Sequence, residues 1–327
     1  MDKLVTIYGG SGFVGRYIAR RMAAAGWRVR VAVRRPNEAL FVKPYGVVGQ
    51  VEPVLCNIRD DASVAQAMDG AGAVVNCVGV LTETRKNTFE AVQADGAARV
   101  ARLAASAGVT NFVHLSAIGA DRNGASQYAR TKGNGEQAVL EHMPGAVILR
   151  PSIIFGPEDA FFNRFAGMAR LSPVIPIAGA DTRFQPVWVD DVAKAAALGV
   201  QGQAVPGIYE LGGPEVRTFR ALIQTTLAVI RRRRLVINMP NWIAGIVAGG
   251  FDVLQFVSFG LVPNTMLTRD QLRSLQADNV VGDGALDLHS LGITPVAMDA
   301  VLEDYLWRFR PSGQYDAIKE SAQNLRG

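Results

Sequence analysis

The sequence is short of the residues that build cross-links and metal centres. It has two cysteines, Cys56 and Cys77, and three histidines, His114, His142 and His289, in 327 residues. Both cysteines stand in apolar runs that read as core strands, which excludes a disulfide scaffold and points to a reducing compartment. The scattered histidines and isolated thiols offer no metal-ligand spacing. Charged residues make up only 19% against 49% hydrophobic residues, which excludes a disordered chain. Helix-turn-helix, zinc-finger and RNP-type motifs are lacking, and the aromatics do not interleave with basic residues. The net charge of +5 therefore does not point to nucleic acid. It suits a phosphorylated cofactor or an anionic lipid surface. No signal-type or Arg/Ser-rich segment precedes the first apolar strand, which begins near Lys3. With Met1 in place, this predicts a bacterial chain that stays in the cytoplasm, the alternative being a removed presequence.

What is present is a β-α alternation. Apolar strands are expected at 4–8, 29–33, 51–56, 73–78, 111–115 and 146–150, separated by helices at 13–25, 61–69, 89–107 and 128–142. The strands lack polar alternation, so they belong to a parallel sheet covered on both faces. The predicted fold class is α/β, a Rossmann-like doubly wound parallel sheet with a smaller, mostly helical C-terminal lobe. Residues 1–155 form the nucleotide-binding domain in this reading. Residues 156–327 form the lobe, interleaved with strands at about 183–212 that return to the main sheet.

Gly9-Gly10-Ser11-Gly12-Phe13-Val14-Gly15 follows the first strand and opens the first helix. The glycines allow a tight turn, close approach of backbone to a pyrophosphate, and close packing of helix on sheet. The helix N-terminus presents free N–H groups to phosphate. The second strand ends in Val33-Arg34-Arg35, without the Asp or Glu that accepts from a ribose 2′-OH in an NAD site. Arg34, Arg35 and Arg16 match a 2′-phosphate in charge and geometry, so NADP(H) is expected over NAD(H). Asn57-Ile58 at the end of the third strand is expected beside the adenine. Cys77-Val78-Gly79 at the end of the fourth is expected to let backbone approach the cofactor.

Tyr128-Ala129-Arg130-Thr131-Lys132 places Tyr128 and Lys132 on one helix face at i and i+4. A lysine there can lower the tyrosine pKa and hold the nicotinamide ribose, and the tyrosine could then serve as general acid/base. With the glycine turn, Asn76-Cys77-Val78-Gly79, Leu149-Arg150-Pro151, Phe155-Gly156-Pro157, Pro186 to Val192 and Tyr209 to Gly213, the chain resembles the extended or atypical short-chain dehydrogenase/reductase superfamily. That resemblance implies cofactor contacts at Leu115, Ser116, Pro151 and Ile153 as well, and a catalytic hydroxyl after the fifth strand. The chain departs from the pattern there. Ser116 is available, but alignment with the extended enzymes puts the active hydroxyl one residue later, at Ala117. Tyr128, Lys132 and Ser116 are thus either catalytic or only cofactor ligands.

In the second half, Thr218 is expected to cap a helix from Phe219 to about Arg231, with Arg231 to Arg234 at its C-terminal end. Trp242–Val262 is the one long apolar run, approaching the ~20 residues of a membrane span. Asp252, Gln255 and Gly249-Gly250 interrupt it and argue for a packed lobe or a face lying on a lipid or protein surface. Basic residues upstream favour anionic headgroups. Leu267-Thr268-Arg269-Asp270-Gln271-Leu272, Asp278-Asn279-Val280-Val281, Leu291-Gly292-Ile293 and Leu302 to Arg310 resemble the nucleotide-binding accessory subunits of respiratory complex I. This implies a tightly held NADPH without turnover and complex I subunits as partners near the membrane interface. A membrane-facing region would span 235–266, with lipid contact through 231–262. It also implies a peripheral position on the cytoplasmic face of a bacterial inner membrane, or the matrix side in a mitochondrion. Two other functions stay open on the residues alone: a soluble NADPH-dependent reductase or epimerase, and a module that reports NADPH occupancy to a partner.

Overall fold

The structure, a computed structural model, describes residues 3–84, 87–240, 242–246, 249, 268–311, 313 and 315. Most of the apolar run at 242–262 lies outside the described residues.

The central sheet has seven strands, all parallel: β1 (Leu4–Tyr8), β2 (Arg28–Val33), β3 (Val51–Leu55), β4 (Ala73–Asn76), β5 (Asn111–Leu115), β6 (Val147–Pro151) and β11 (Gly207–Leu211). Their order is β11-β6-β5-β4-β1-β2-β3. The chain winds outward from β1 through β2 to β3, then restarts at β4 on the other side. The point of reversal, between the carboxyl ends of β1 and β4, is where this architecture leaves a crevice for a ligand. Both faces of the sheet are buried, and β1 and β4 have no exposed residue. Such strands need helices on each side, which explains why they read as apolar runs without alternation.

One buried cluster joins the sheet to α1 (Phe13–Ala24) and α6 (Val189–Val200). A second joins it to α2 (Asp61–Met68), α3 (Asp95–Ser106) and α4 (Gln127–His142). The third lies in the second half of the chain. It brings Phe155 and Phe162 together with Phe184, Phe219, Leu222, Leu302 and Leu306. Around it are α5 (Phe161–Leu171), α7 (Phe219–Val229) and three small two-stranded sheets: β10 (Val187–Trp188) with β7 (Ile154–Phe155), β12 (Arg217–Thr218) with β9 (Arg183–Phe184), and β13 (Leu235–Asn238) with β8 (Val174–Ile177). Within this region β11 joins the main sheet and α6 packs on it, while β9 and β10 pair in small sheets of their own.

Helix starts follow local chemistry. Asp60, Ser126 and Thr218 accept side-chain bonds from the third N–H groups of α2, α4 and α7. The helix expected over 89–107 begins instead with a π-helical turn, Glu90–Ala94, before α3. Gly135 of α4 packs so close to it that a Cβ would lie 2.3 Å from the Gln93 carbonyl.

Candidate functional site

The turn after β1 is closed by Gly10 N–H donating to Ile7 O (3.2 Å) and Gly12 N–H donating to Gly9 O (2.9 Å). Gly9 has φ +75°, a left-handed conformation that favours glycine. A Cβ at Gly15 would lie 2.5 Å from Gly9 O and 2.7 Å from Gly10 Cα, so only glycine lets α1 sit this close to the strand. Gly12 opens α1 with no side-chain cap, and no acidic residue stands in its first turn. The N–H groups and dipole at that end, beside Ser11, Phe13 and Val14, are therefore arranged for an anion. Across the crevice, Val78 N–H donates to Asn76 Oδ1 at 3.2 Å, turning the chain after β4. A Cβ on Gly9 would lie 3.3 Å from the Cys77 carbonyl and from Val78 Cγ2. The ends of β1 and β4 thus meet through glycine and small side chains, leaving backbone accessible to a ligand.

The three arginines divide. Arg16 donates to Ser11 O (3.1 Å) and Gly12 O (3.3 Å), pairs with Glu158 (3.3 Å) and stacks over Phe41 at 4.7 Å. It braces the turn itself. Arg35 pairs with Glu38 at 3.0 Å on the surface. Arg34 is exposed at the end of β2, and its side chain makes no hydrogen bond or ion pair with the described residues. Asn57 turns the chain after β3, its N–H donating to Ser63 Oγ and its Oδ1 accepting from Arg59 N–H. Ile58 is buried against Gly96.

At the other end of the crevice, α4 presents Tyr128 and Lys132. Lys132 is 5% exposed, and its ammonium donates to Leu115 O at 3.1 Å. Burial pulls it down to about 8, while Glu136 and Cys77 oppose that shift. A Cβ on Gly79 would lie 3.4 Å from Nζ, so β4, β5 and α4 converge on this amine. Tyr128 packs edge-on against Phe89, and burial pushes its phenol up to about 12. A lysine one turn on can lower such a pKa, but here desolvation by burial sets the direction. Burial likewise raises the Cys77 thiol to about 12 and, with the Lys132 charge, lowers His114 to about 3. His114 is thus a neutral core group, with Asn76 Nδ2 3.3 Å from its Nδ1.

Ser116 is 4% exposed and its Oγ has no hydrogen-bond partner among the described residues; His114 Nε2 shares that state. The next position, half-buried, is Ala117, which has no hydroxyl. Pro151 ends β6, where its carbonyl accepts from Ile118 N–H, and Ile153 packs on the third cluster.

A dinucleotide fits these residues. There is a glycine cradle that a Cβ would fill, an uncapped helix N-terminus, an exposed guanidinium at the end of β2, and an amine and an orphaned hydroxyl at the far end. The glycine spacing and the Tyr-to-Lys interval single out these positions in the sequence. They do not reveal the groups that hold them from a distance. Glu158 accepts from Tyr17 Oη as well as pairing with Arg16. Asp159, buried beside it, accepts from Tyr305 Oη at 2.6 Å and from Gly156 N–H at 3.3 Å. Asp270 accepts from Gln127 N–H (2.6 Å) and Tyr128 N–H (3.0 Å). Each is a partner far away in sequence, with no local signal to reveal it.

Comparison with known proteins agrees with this geometry. The NAD dependent epimerase/dehydratase family matches residues 5–212. The chain is 33% identical over 316 residues to the NADH dehydrogenase [ubiquinone] 1 alpha subcomplex subunit 9, mitochondrial, of Arabidopsis thaliana, covering 95% of this chain and 79% of that one. It is 31% identical over 251 residues to the ceramide reductase of Caulobacter vibrioides, covering 76% of each. Among solved structures, the NADPH-dependent quinone oxidoreductase QOR2 of Escherichia coli superposes with a TM-score of 0.69 at 17% identity, over 92% of this chain and 98% of that one. The chain belongs to the NAD dependent epimerase/dehydratase family, and its homologues include the alpha subcomplex subunit 9 of mitochondrial NADH dehydrogenase.

Proposed function

We propose that this chain is an NADP(H)-holding, non-catalytic accessory subunit of respiratory complex I, supporting its assembly and stability where the hydrophilic and membrane arms join. The observation that carries the proposal is the extent of the likeness. Similarity to the complex I subunit spans 95% of the chain, whereas the family match ends at residue 212. The C-terminal segments that hold Tyr128 and Gly156 fall in the part beyond it.

In this reading the glycine turn and the start of α1 hold the pyrophosphate, Arg34 faces the 2′-phosphate, and Lys132 and Tyr128 hold the nicotinamide ribose. Bound NADPH supplies a hydride in enzymes of this fold. Here the hydroxyl that would polarise a substrate is buried or lacking: Ser116 is 4% exposed and Ala117 has no hydroxyl. A ligand that binds only the folded state stabilises the fold without reacting.

A peripheral position is supported by the surface near β13 (Leu235–Asn238). Leu171 (90% exposed), Leu235, Ile237, Trp242 and Ile246 are open to solvent there, with Arg231 and Arg233 also exposed. Apolar side chains with an aromatic and arginines suit a lipid headgroup layer or an apolar protein face. No helix among the described residues is long and apolar enough to cross a membrane.

The test is a native gel of membranes extracted in mild detergent, stained for NADH dehydrogenase activity and probed for this chain. The chain is expected in the large active band. A chain found only apart from that band overturns the subunit reading and turns attention to a reductase substrate.

A further inference from the structure

The segment Thr268–Val281 is tied to the carboxyl side of the sheet at several points. Its short helix, Arg269–Ser274, starts with a capping box in which Thr268 and Gln271 satisfy each other's backbone. Asp270, in the first turn of that helix, is not used to cap it. Its two carboxylate oxygens instead accept from the first two free N–H groups of α4, those of Gln127 and Tyr128. The third, that of Ala129, is taken by Ser126 Oγ at 3.1 Å. All three leading amides of α4 are therefore satisfied by side chains, two of them by a residue 142 or more positions away. Further along, Asn279 Nδ2 donates to Ile118 O (3.2 Å), and Ser152 Oγ lies 2.7 Å from Asn279 Oδ1 and 2.9 Å from its carbonyl oxygen. The same segment thus also joins the turns after β5 and β6.

We propose that Asp270 is a positioning residue for the cofactor site: it fixes the backbone of Tyr128, so that docking of segment 268–281 and dinucleotide binding are thermodynamically linked. This rests on the cofactor reading given above. Carboxylates at a helix N-terminus are favoured by the exposed N–H groups and the dipole, and hydrogen bonds to a charged acceptor are stronger than neutral ones. Removing them loosens the turn that carries Tyr128, while Lys132, one turn further on, keeps its own bond to Leu115 O. Linkage is reciprocal. If docking of the segment favours NADPH, NADPH favours docking of the segment to the same extent.

NADPH affinity is measured by titration of the full chain and of Asp270→Asn, Asp270→Ala and Arg183→Ala. Arg183→Ala removes the surface pair with Asp278 (2.8 Å), which ties the same segment without reaching α4. Asp270→Ala is expected to weaken NADPH on the order of 5- to 10-fold, Asp270→Asn less because one acceptor survives, and Arg183→Ala less than about 2-fold. In a Tyr128→Phe background, the effect of Asp270→Ala is expected to shrink to less than half on a logarithmic scale. Hydrogen exchange provides the reciprocal readout: NADPH slows the amides of Gln127, Tyr128 and 268–281 in the natural chain but not in Asp270→Ala. An affinity for Asp270→Ala within 2-fold of the natural chain overturns the proposal alone, as does an undiminished effect in the Tyr128→Phe background. A natural chain that binds neither NADPH nor NADH overturns the cofactor reading and this proposal with it.

Discussion

Arg34 stands at the end of β2, where an acidic residue would select NAD and a basic one selects the 2′-phosphate of NADP. It is exposed and uncommitted among the described residues, whereas Arg16 and Arg35 are each engaged with a glutamate. Specificity is therefore expected to rest on Arg34 alone. Arg34→Glu should weaken NADPH by about 100-fold, corresponding to roughly 3 kcal/mol for a lost charge-assisted contact plus repulsion, and leave NADH within a few-fold. Equal losses for both cofactors, read by the same titration, would remove the 2′-phosphate from the account. The sequence marks Arg34 by its position at the end of an apolar strand. It could not separate Arg34 from Arg16 and Arg35. That distinction depends on Glu158 and Glu38, and Glu158 comes from a loop more than a hundred residues on from Arg16.

At the level of elements, the glycine turn and α1 act as one piece. The helix can approach β1 only because Gly15 has no side chain to place against Gly9 O and Gly10 Cα. Gly15→Ala is expected to push the helix out and cost about 1–3 kcal/mol of stability, as overpacking against backbone does. It should also abolish most of the rise in thermal midpoint that NADPH gives the natural chain. A variant with unchanged stability and unchanged response to NADPH would show that the turn does not seat the pyrophosphate. The strands, their parallel arrangement and most helices could be read from apolar runs and capping residues. The π-helical start at Glu90–Ala94 could not, because the pattern of apolar residues there is compatible with an ordinary α-helix. Nor could the bond from Asp270 to α4. Asp270 stands in the first turn of its own helix, and only the fold turns its carboxylate to another.

Over the whole molecule, the nucleotide crevice, the segment 268–281 and the exposed surface at β13 belong to one arrangement. The C-terminal region holds the crevice from two directions. Asp270 acts on α4, and Tyr305, through Asp159, acts on the loop that packs against the start of α1. In the proposed function a cofactor held this way would serve as a structural ligand, its occupancy adding to the stability of what packs around it. In that function NADP(H) resides in this chain within complex I. The most direct measurement is to isolate the tagged chain from its own membranes in mild detergent, denature it, and quantify the released NADP(H) and NAD(H) alongside the co-purifying polypeptides. Stoichiometric NADP(H), little NAD(H) and the polypeptides of an NADH dehydrogenase are expected. A preparation that carries no NADP(H) and no such polypeptides would contradict the proposed function.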